Sequence, residues 1–432
     1  MGQGGEPVAS STRQRILLII CLMYLISYLD RVTISVAAPK IIEEFHFNKA
    51  TMGLIFSAFA WSYALLQIVG GTLGDRYGPR RILATLMTWW SAFTIFTGFA
   101  WNVGSFFVIR LLFGLGEAGG FPVATRALSS WFPASDRGWL QGITHAFARF
   151  GAAIAPPVIV WLTLTTGGWR PPFYILGSVG FVWAAWFFWY FRDRPEQKTG
   201  VNEEELRSIY GPGGNPRTQA VKPVVPWGKI LRNKDVWLLI ATDFCYGYSL
   251  WIYLTWLPTY LTSARHFSFK GMGFYAALPL IGGVIGDVVG GKLTDWLWKT
   301  TGNLKVARRA TIAAALFGSF LFSVPSVYVA SAYTAVALQT FAFFFLEIAV
   351  SGLWAVSMDL GGRNFSGTVS GLMNTGFGVA GIVSPVVFGV MVDRSGSWVG
   401  PYIVGGALLL IGVLTILFTD PTNTVDPEPA AA

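Results

Sequence analysis

The stretch GDRYGPRR, residues 74–81, is short and charged and lies between two apolar runs near 50–73 and 82–101. A helix needs about 20 mostly apolar residues to cross the hydrocarbon core of a bilayer, and both runs have roughly that length. Gly74 and Gly78 permit a tight turn in the loop. The stretch therefore predicts a charged loop between two membrane-spanning helices.

The same pattern continues in both directions along the 432-residue chain. Candidate spans lie near 16–38, 50–73, 82–101, 104–127, 139–164, 173–191, 236–262, 271–292, 310–329, 331–356, 367–391 and 400–418. Charged residues make up 12% of the chain, which is roughly half of their share in soluble domains. The sequence predicts an all-α membrane protein with twelve transmembrane helices.

Lysine and arginine residues indicate how the spans are oriented. With both termini in the cytoplasm, most of the 31 basic residues fall in cytoplasmic segments, as the positive-inside rule expects. The basic residues on the outer side are Lys40, Lys49, Arg170, Arg265, Lys270 and Arg394. Topology thus explains the net charge of +9, and no nucleic-acid partner is predicted. We expect an integral plasma-membrane protein, in the inner membrane of a bacterium.

A polar interval divides the chain into two halves. Residues 1–192 are predicted to form one six-helix bundle, 193–235 a cytoplasmic linker loop, and 236–432 a second six-helix bundle. Asn202 and Glu205 in the linker have the spacing of a capping box, which predicts a short surface helix.

The two halves also resemble each other. VGGTLGDRYG at 69–78 parallels VGGKLTDWLW at 289–298, and Glu117 and Glu347 occupy matching positions in the two halves. Such an internal repeat is typical of carriers whose bundles surround a central site. The repeat predicts two pseudo-symmetric bundles.

Ionisable side chains lie inside the predicted spans. Such groups are costly in a bilayer and usually face a cavity or a partner. They are Asp30, Arg31, Arg110, Glu117, Arg149, Asp243, Asp287 and Glu347. Their presence predicts a polar chamber enclosed by the helices.

Three stretches resemble a known family. GDRYGPRR at 74–81 resembles the signature of the major facilitator superfamily. RLLFGLGEAGGFPVATRALSSWFPASDRG at 110–138 and YLDRVTISVAAP at 28–39 resemble its anion:cation symporter branch, which includes sugar-acid, hexuronate, phthalate and vesicular glutamate carriers. SxxW at 351–354 extends the resemblance over nearly the whole chain. The resemblance implies that helices 1, 4, 7 and 10 surround a central cavity.

The resemblance also implies roles for the charged residues. Asp30 and Glu117 would carry protons, and Arg31 would contact an anionic substrate. Asp30 and Arg31 are adjacent and so point about 100° apart on a helix; alternatively, both end a shortened helix 1 near water. Arg110 and Glu117 are two turns apart, about 10 Å along one face, so Arg110 either lines the same wall or bonds to backbone carbonyls.

Further substrate contacts are implied at polar and aromatic positions. By resemblance these are Tyr28, Tyr63, Ser351, Trp354 and Asn374, with Trp354 stacking on a sugar face. Packing or the interfacial aromatic belt is the alternative for the tyrosines and the tryptophan.

Two positions depart from the family pattern. Many sugar-acid carriers have a glutamine near Arg149 and a neutral amide near Asp243. Arg149 predicts an extra positive contact for a more anionic substrate. Asp243 predicts either an ion pair with Arg149 or Arg31, or a second proton site. Asp287 and Glu347 are weaker, pseudo-symmetric candidates.

Residues of the charged cytoplasmic loops are predicted to act as a gate. They are expected to hold the outward-facing state closed by contacts that break in the other state; the alternative is that they only set topology. The set is Gly74, Asp75, Arg76, Gly78, Arg80, Arg81, Asp136 and Arg137.

No constellation for catalysis is present: no HExxH, no phosphate loop and no nucleophile–base spacing. We therefore expect no enzyme, no cofactor and no metal. The predicted function is proton-coupled symport of a small organic anion, such as a hexuronate or hexonate, by a monomer. The alternatives are an exchanger or a sodium-coupled carrier of aromatic or dicarboxylic acids, and, more distantly, a membrane sensor that moves nothing.

Overall fold

The computed structural model describes residues 11–133, 136–210 and 225–426, and every regular element in these ranges is helical. The long helices are α1 (Thr12–Phe45), α2 (Lys49–Tyr77), α3 (Pro79–Thr97), α4 (Val103–Ala118 and Gly120–Trp131), α5 (Arg137–Thr166), α6 (Pro171–Tyr190), α7 (Lys234–Ser263), α8 (Phe269–Tyr275 and Ala277–Thr301), α9 (Leu304–Ser323), α10 (Ala332–Gly362), α11 (Phe365–Ser395) and α12 (Val399–Phe418). Short helices are Pro195–Gln197, Glu203–Tyr210, Trp227–Arg232 and Pro325–Val327.

Each predicted span lies on one of these helices, which confirms the all-α prediction. In the described ranges, 10 helices are long and apolar enough to cross a membrane. The other two, α3 and α7, have 19 and 30 residues but are more polar. Arg80 and Arg81 begin α3, and α7 carries Asp235 and Asp243. These helices are long enough to span, and polar side chains lower their mean hydropathy.

Glycines in the left-handed region mark equivalent turns in the two halves. Gly78 (φ 85°) joins α2 to α3, and Gly302 (φ 64°) joins α8 to α9. Gly362 (φ 63°) separates α10 from α11. A side chain at such a φ is strained, so glycine is the residue that permits these turns. In the alignment of 69–78 with 289–298, Gly302 lies four residues beyond the position that matches Gly78, so the two helix pairs have similar turns at slightly different positions.

The linker helix is attached to the start of α1. Asn202 Oδ1 accepts a hydrogen bond from the backbone N–H of Glu205 at 3.0 Å, which is the first of the two bonds of the predicted capping box. The Glu205 carboxylate in turn accepts one from the backbone N–H of Arg13 at 2.8 Å. The GPGGNP part of the linker, 211–216, lies outside the described residues.

The segment after α12 is fastened to α9 and to the end of α10, within the same half. Asp420 pairs with Lys305 of α9 at 2.7 Å, and the hydrogen bond from Lys305 lowers the pKa of Asp420 to about 2. The backbone N–H of Val425 donates to the carbonyl of Leu360 at 2.8 Å. These bonds hold the segment beside the junction of α10 and α11.

The two halves pack on each other through α2 with α11, α5 with α8, and α1 with α7. At the end that carries the α1–α2 loop, Gly53 of α2 lies against the backbone of Pro385 in α11. The Asp393 carboxylate accepts hydrogen bonds from the backbone N–H groups of Lys49 and Ala50, at 3.1 and 2.6 Å. This end of the interface is therefore closed.

The two halves are separated from each other at the opposite end. Close approaches between the halves continue to mid-helix, where Gly378 of α11 meets Ala64 of α2. Beyond that level, Gly142 of α5 and both Gly367 and Gly371 of α11 have no described atom within 4 Å of where a Cβ would stand. The halves thus separate toward the end that carries the charged loop at 74–81.

Two alanine substitutions test the closed end. Gly53→Ala is expected to lower the free energy of unfolding by about 1–3 kcal/mol, because the added methyl meets the backbone of Pro385. Gly371→Ala is the matched control in an open part of a helix; it is expected to raise stability by up to about 1 kcal/mol through helix propensity. Thermal unfolding in detergent measures both. A Gly53→Ala protein that melts at or above the wild type contradicts this packing.

Candidate functional site

A buried ion pair joins α1 to α4. Arg31 Nη2 lies 3.2 Å from Glu117 Oε1, and Arg31 Nε donates to Glu117 Oε2 at 3.4 Å. The side chains are 3% and 1% exposed. Ser27, one helical turn before Arg31, also donates its hydroxyl to Glu117. Residues four apart lie on one face of a helix, so a single face of α1 holds this carboxylate.

Aromatic rings enclose the Arg31 guanidinium. The rings of Tyr28, Phe59, Tyr63 and Phe121 lie 4.6, 4.8, 4.9 and 5.8 Å from its central carbon. Such contacts stabilise a cation by about 0.5–2 kcal/mol each, the more so when it is desolvated. The predicted residues Tyr28 and Tyr63 thus do meet Arg31.

Asp30 points elsewhere. It is 2% exposed and lies inside the N-terminal half near Arg110, Thr94 and Trp90, with no hydrogen bond to either carboxylate oxygen from the described residues. This placement agrees with the prediction that the adjacent residues Asp30 and Arg31 point in different directions; the proton-carrying role of Asp30 stays a prediction. The alternative of a shortened helix 1 near water is wrong, because α1 runs on to Phe45.

Arg110 stacks on aromatic rings. Its guanidinium carbon lies 4.6 Å from the Phe113 ring and 5.3 Å from the Phe59 ring. Phe59 is also a neighbour of Arg31, so both cations contact the same ring. Arg110 therefore borders the site from the side of Asp30.

A second ion pair joins the two halves. Arg149 of α5 lies 3.0 Å from Glu347 of α10. Arg149 also donates to the hydroxyl of Tyr246 on α7, which donates to Glu347, each at 3.4 Å. Of the two alternatives for Asp243, the ion pair is not formed in this structure, because Glu117 pairs with Arg31 and Glu347 pairs with Arg149. The second proton site stays a prediction. Glu347 is therefore a central residue rather than a weaker candidate.

Asp243 is buried on α7 and faces α11. It lies near the backbone of Phe377, and its Oδ2 has no hydrogen-bond partner among the described residues. The separation from the arginines follows from helix geometry, because Tyr246 is three residues along and takes the face toward Arg149. Asp243 lies behind the ion pairs rather than among them.

The remaining predicted contacts are Ser351 and Trp354 on α10 and Asn374 on α11. The ring of His145 lies between the rings of Tyr24 and Trp354, and its centroid is 6.1 Å from the first and 6.2 Å from the second. Because His145 is in the first half and Trp354 in the second, this contact crosses the interface. Ser351 donates to the carbonyl of Asp287 at 3.4 Å. Asn374 is half-buried on α11.

We call the residues gathered where the halves meet the central cluster. Its members are Tyr28, Arg31, Tyr63, Glu117, Arg149, Tyr246 and Glu347. Sequence reasoning did not single out Ser27 or Tyr246. The turn spacing between Ser27 and Arg31 is a usable signal, whereas nothing in the sequence marks Tyr246.

The charged loop contacts its own half in this structure. The backbone N–H of Arg80 donates to Asp193 at 2.8 Å, and its Nε donates to the carbonyl of Phe188 at 2.8 Å. Arg76 stacks on Tyr77 at 5.2 Å, and Gly74 faces Val123. These contacts leave the gating prediction open, since it concerns the other state.

For the other predicted gating residues, the structure gives only the exposure of two side chains. Arg81 is exposed and Asp136 half-buried. The side chains of Asp75 and Arg137 lie outside the described part.

A helical membrane protein whose two matched halves meet at buried charges has the architecture of a solute carrier. The family model described as Major Facilitator Superfamily matches residues 20–385, and the chain belongs to that family. Membership confirms the predicted fold and agrees with the prediction that the chain is not an enzyme.

Relatives cover almost the whole chain. It is 47% identical to the probable sulfoacetate transporter SauU of Cupriavidus necator, over 96% of this chain and 95% of that one. It is 34% identical to the probable galactarate/D-glucarate transporter GudP of Escherichia coli, over 96% of both, and 30% identical to the hexuronate transporter of Bacillus subtilis, over 94% of both. The predicted resemblance to the organic-anion branch is confirmed.

A solved structure shares the fold. A bacterial homologue of the human lysosomal transporter Spinster superposes with a TM-score of 0.81 at 18% identity, covering 98% of this chain and 100% of the other.

Charge removal tests the Arg31–Glu117 pair. Glu117→Gln is expected to destabilise by about 3–5 kcal/mol, because it strands a buried guanidinium that cannot lose its proton. Arg31→Gln is expected to destabilise less, since the stranded carboxyl can take a proton. Thermal unfolding at neutral pH measures both variants, with the double variant Arg31→Gln/Glu117→Gln expected to recover stability. Equal losses that simply add in the double variant contradict a direct pair.

Proposed function

We propose that the protein is a proton-coupled symporter that carries a small organic anion across the membrane by alternating access. The observation that carries the proposal is the buried Arg31–Glu117 pair. It places one permanent positive charge and one titratable negative charge in contact, beneath a closed interface between the halves.

The coupling follows from charge balance. With Glu117 ionised, Arg31 is neutralised and a substrate anion has no unpaired cation to meet. With Glu117 protonated, Arg31 is buried without a counter-charge, and an uncompensated buried charge is costly. An anion that binds Arg31 removes that cost, so the proton and the anion favour each other's binding. Asp30, beside Arg110, is a second proton-carrying candidate.

The relatives support the substrate class. They are named for sulfoacetate, for galactarate and glucarate, and for hexuronate. All of these compounds are small anions with a carboxylate or sulfonate group. We propose that this chain moves such an organic acid unchanged, with sugar acids and short sulfonated acids as the compounds to test.

The observed state supports alternating access. The halves, proposed as 1–192 and 236–432 joined by the linker 193–235, meet at the α1–α2 loop and separate at the charged loop. If basic loops are cytoplasmic, this state faces inward. The loop residues Arg76, Arg80 and Arg81 would then bind the opposite half in the outward-facing state. The proposed setting is a monomer in a bacterial inner membrane, with both termini in the cytoplasm.

Uptake by proteoliposomes tests the coupling. With an imposed inward proton gradient, the wild type is expected to accumulate radiolabelled sulfoacetate or D-glucarate above equilibrium. Glu117→Gln, purified with the substrate present, is expected to lose this accumulation and to keep exchange of internal for external substrate, because its side chain stays neutral in both states.

The matched control is Glu44→Gln, which removes a carboxylate of the surface Arg170–Glu44 pair. It is expected to accumulate substrate as the wild type does. Full accumulation by Glu117→Gln refutes its coupling role. Proton symport is refuted if uptake by the wild type does not depend on the proton gradient and requires sodium or a counter-anion.

A further inference from the structure

The Arg149–Glu347 pair differs from the Arg31–Glu117 pair in what it connects. Arg149 comes from α5 in the first half and Glu347 from α10 in the second, and they are 3.0 Å apart. The pair therefore bridges the interface that must rearrange in alternating access. Arg149 is 15% exposed, against 3% for Arg31, so it is the more accessible of the two cations.

Arg149 and Glu347 each keep polar atoms that have no hydrogen-bond partner among the described residues. The ion pair and the bond to Tyr246 both use Nη2 of Arg149, and the described residues make no hydrogen bond to its Nε or Nη1. Glu347 Oε1 is buried without a hydrogen-bond partner. A guanidinium binds carboxylate or sulfonate groups best through two parallel N–H donors. Arg149 keeps such an edge unused.

Charge counting separates one-charge from two-charge substrates. The central cluster holds two guanidinium groups, of Arg31 and Arg149, and two carboxylates, of Glu117 and Glu347. A substrate with one negative charge and one proton engages only the Arg31–Glu117 pair. The Arg149–Glu347 pair then stays a buried ion pair with unused polar atoms, and such a pair seldom stabilises a protein by itself.

We propose that Arg149 binds a second acidic group of the substrate, so that the preferred substrates are small dianions with an acidic group at each end. This inference rests on the proposed function, because it requires that Arg31 bind the first group. The second carboxylate or sulfonate takes the Nε–Nη1 edge of Arg149 and displaces Glu347.

The displaced Glu347 then takes up a proton from the solution on the side to which the site is open. The titratable groups that face it are Arg149 on α5, Tyr246 on α7 and Asp287 on α8. With Glu347 and Glu117 both protonated, two protons balance the two charges of the substrate. The summed charge of the central cluster and its contents is the same before and after binding.

Affinity ratios for matched ligands test the proposal. The probes are sulfoacetate against methanesulfonate, and D-glucarate against D-gluconate, which differ by one acidic group. For the wild type, calorimetry is expected to give at least about tenfold tighter binding of each dianion, the effect of about 1.4 kcal/mol. In Arg149→Gln/Glu347→Gln, a neutral pair of similar shape, the ratio is expected to fall to about one.

The matched control is Arg170→Gln/Glu44→Gln, which removes an arginine–glutamate pair at the closed end, 2.6 Å apart in the wild type. It is expected to keep the wild-type ratio. If the neutral central pair does not fold, Arg149→Lys replaces it. That variant keeps the charge and loses the planar fork, so the ratio is expected to fall at least about threefold.

The outcomes separate this inference from the proposed function. An unchanged ratio in the central variant, equal binding of both ligand types by the wild type, or binding of none of the four probes overturns the dianion proposal. Arg31→Gln is expected to lose binding of every probe. If Arg31→Gln binds them normally, the proposed function fails instead.

Discussion

A guanidinium buried among helices cannot discharge itself by losing a proton, so it must always keep an anion beside it. The site follows from this constraint at Arg31, which is enclosed by aromatic rings and paired with Glu117. When Glu117 is neutralised, the buried Arg31 has no counter-charge, and binding of another anion there becomes favourable. In the proposed function, this one interaction accounts for both the anion site and its dependence on protons.

The two-part fold places this interaction where it can be exposed to alternate sides. Close backbone contacts, such as Gly53 on Pro385, hold the halves together at one end, and the neighbourless Gly371 marks the end where they separate. The Arg149–Glu347 pair lies between the halves. In the proposed function, these side chains therefore link occupancy of the site to the relative position of the halves.

The fold could be predicted from the sequence because apolar length and loop charge are local properties. The pairing of charges could not. Arg149 and Glu347 belong to different halves, so their contact depends on how the halves dock, which no local pattern records. Because Asp30 and Arg31 are adjacent, the sequence indicated that their side chains point in different directions. It did not indicate which of the two side chains faces α3. The repeat that aligned Glu347 with Glu117 was the usable signal for the second pair.

The central claim, that an anion and a proton bind together at Arg31 and Glu117, is tested most directly by counting protons. Purified protein in weakly buffered detergent at neutral pH is mixed with sulfoacetate or D-glucarate, and a pH indicator follows the solution. The account predicts net proton uptake when the anion binds and a smaller uptake in Glu117→Gln. Saturable anion binding with no change in bound protons would contradict it.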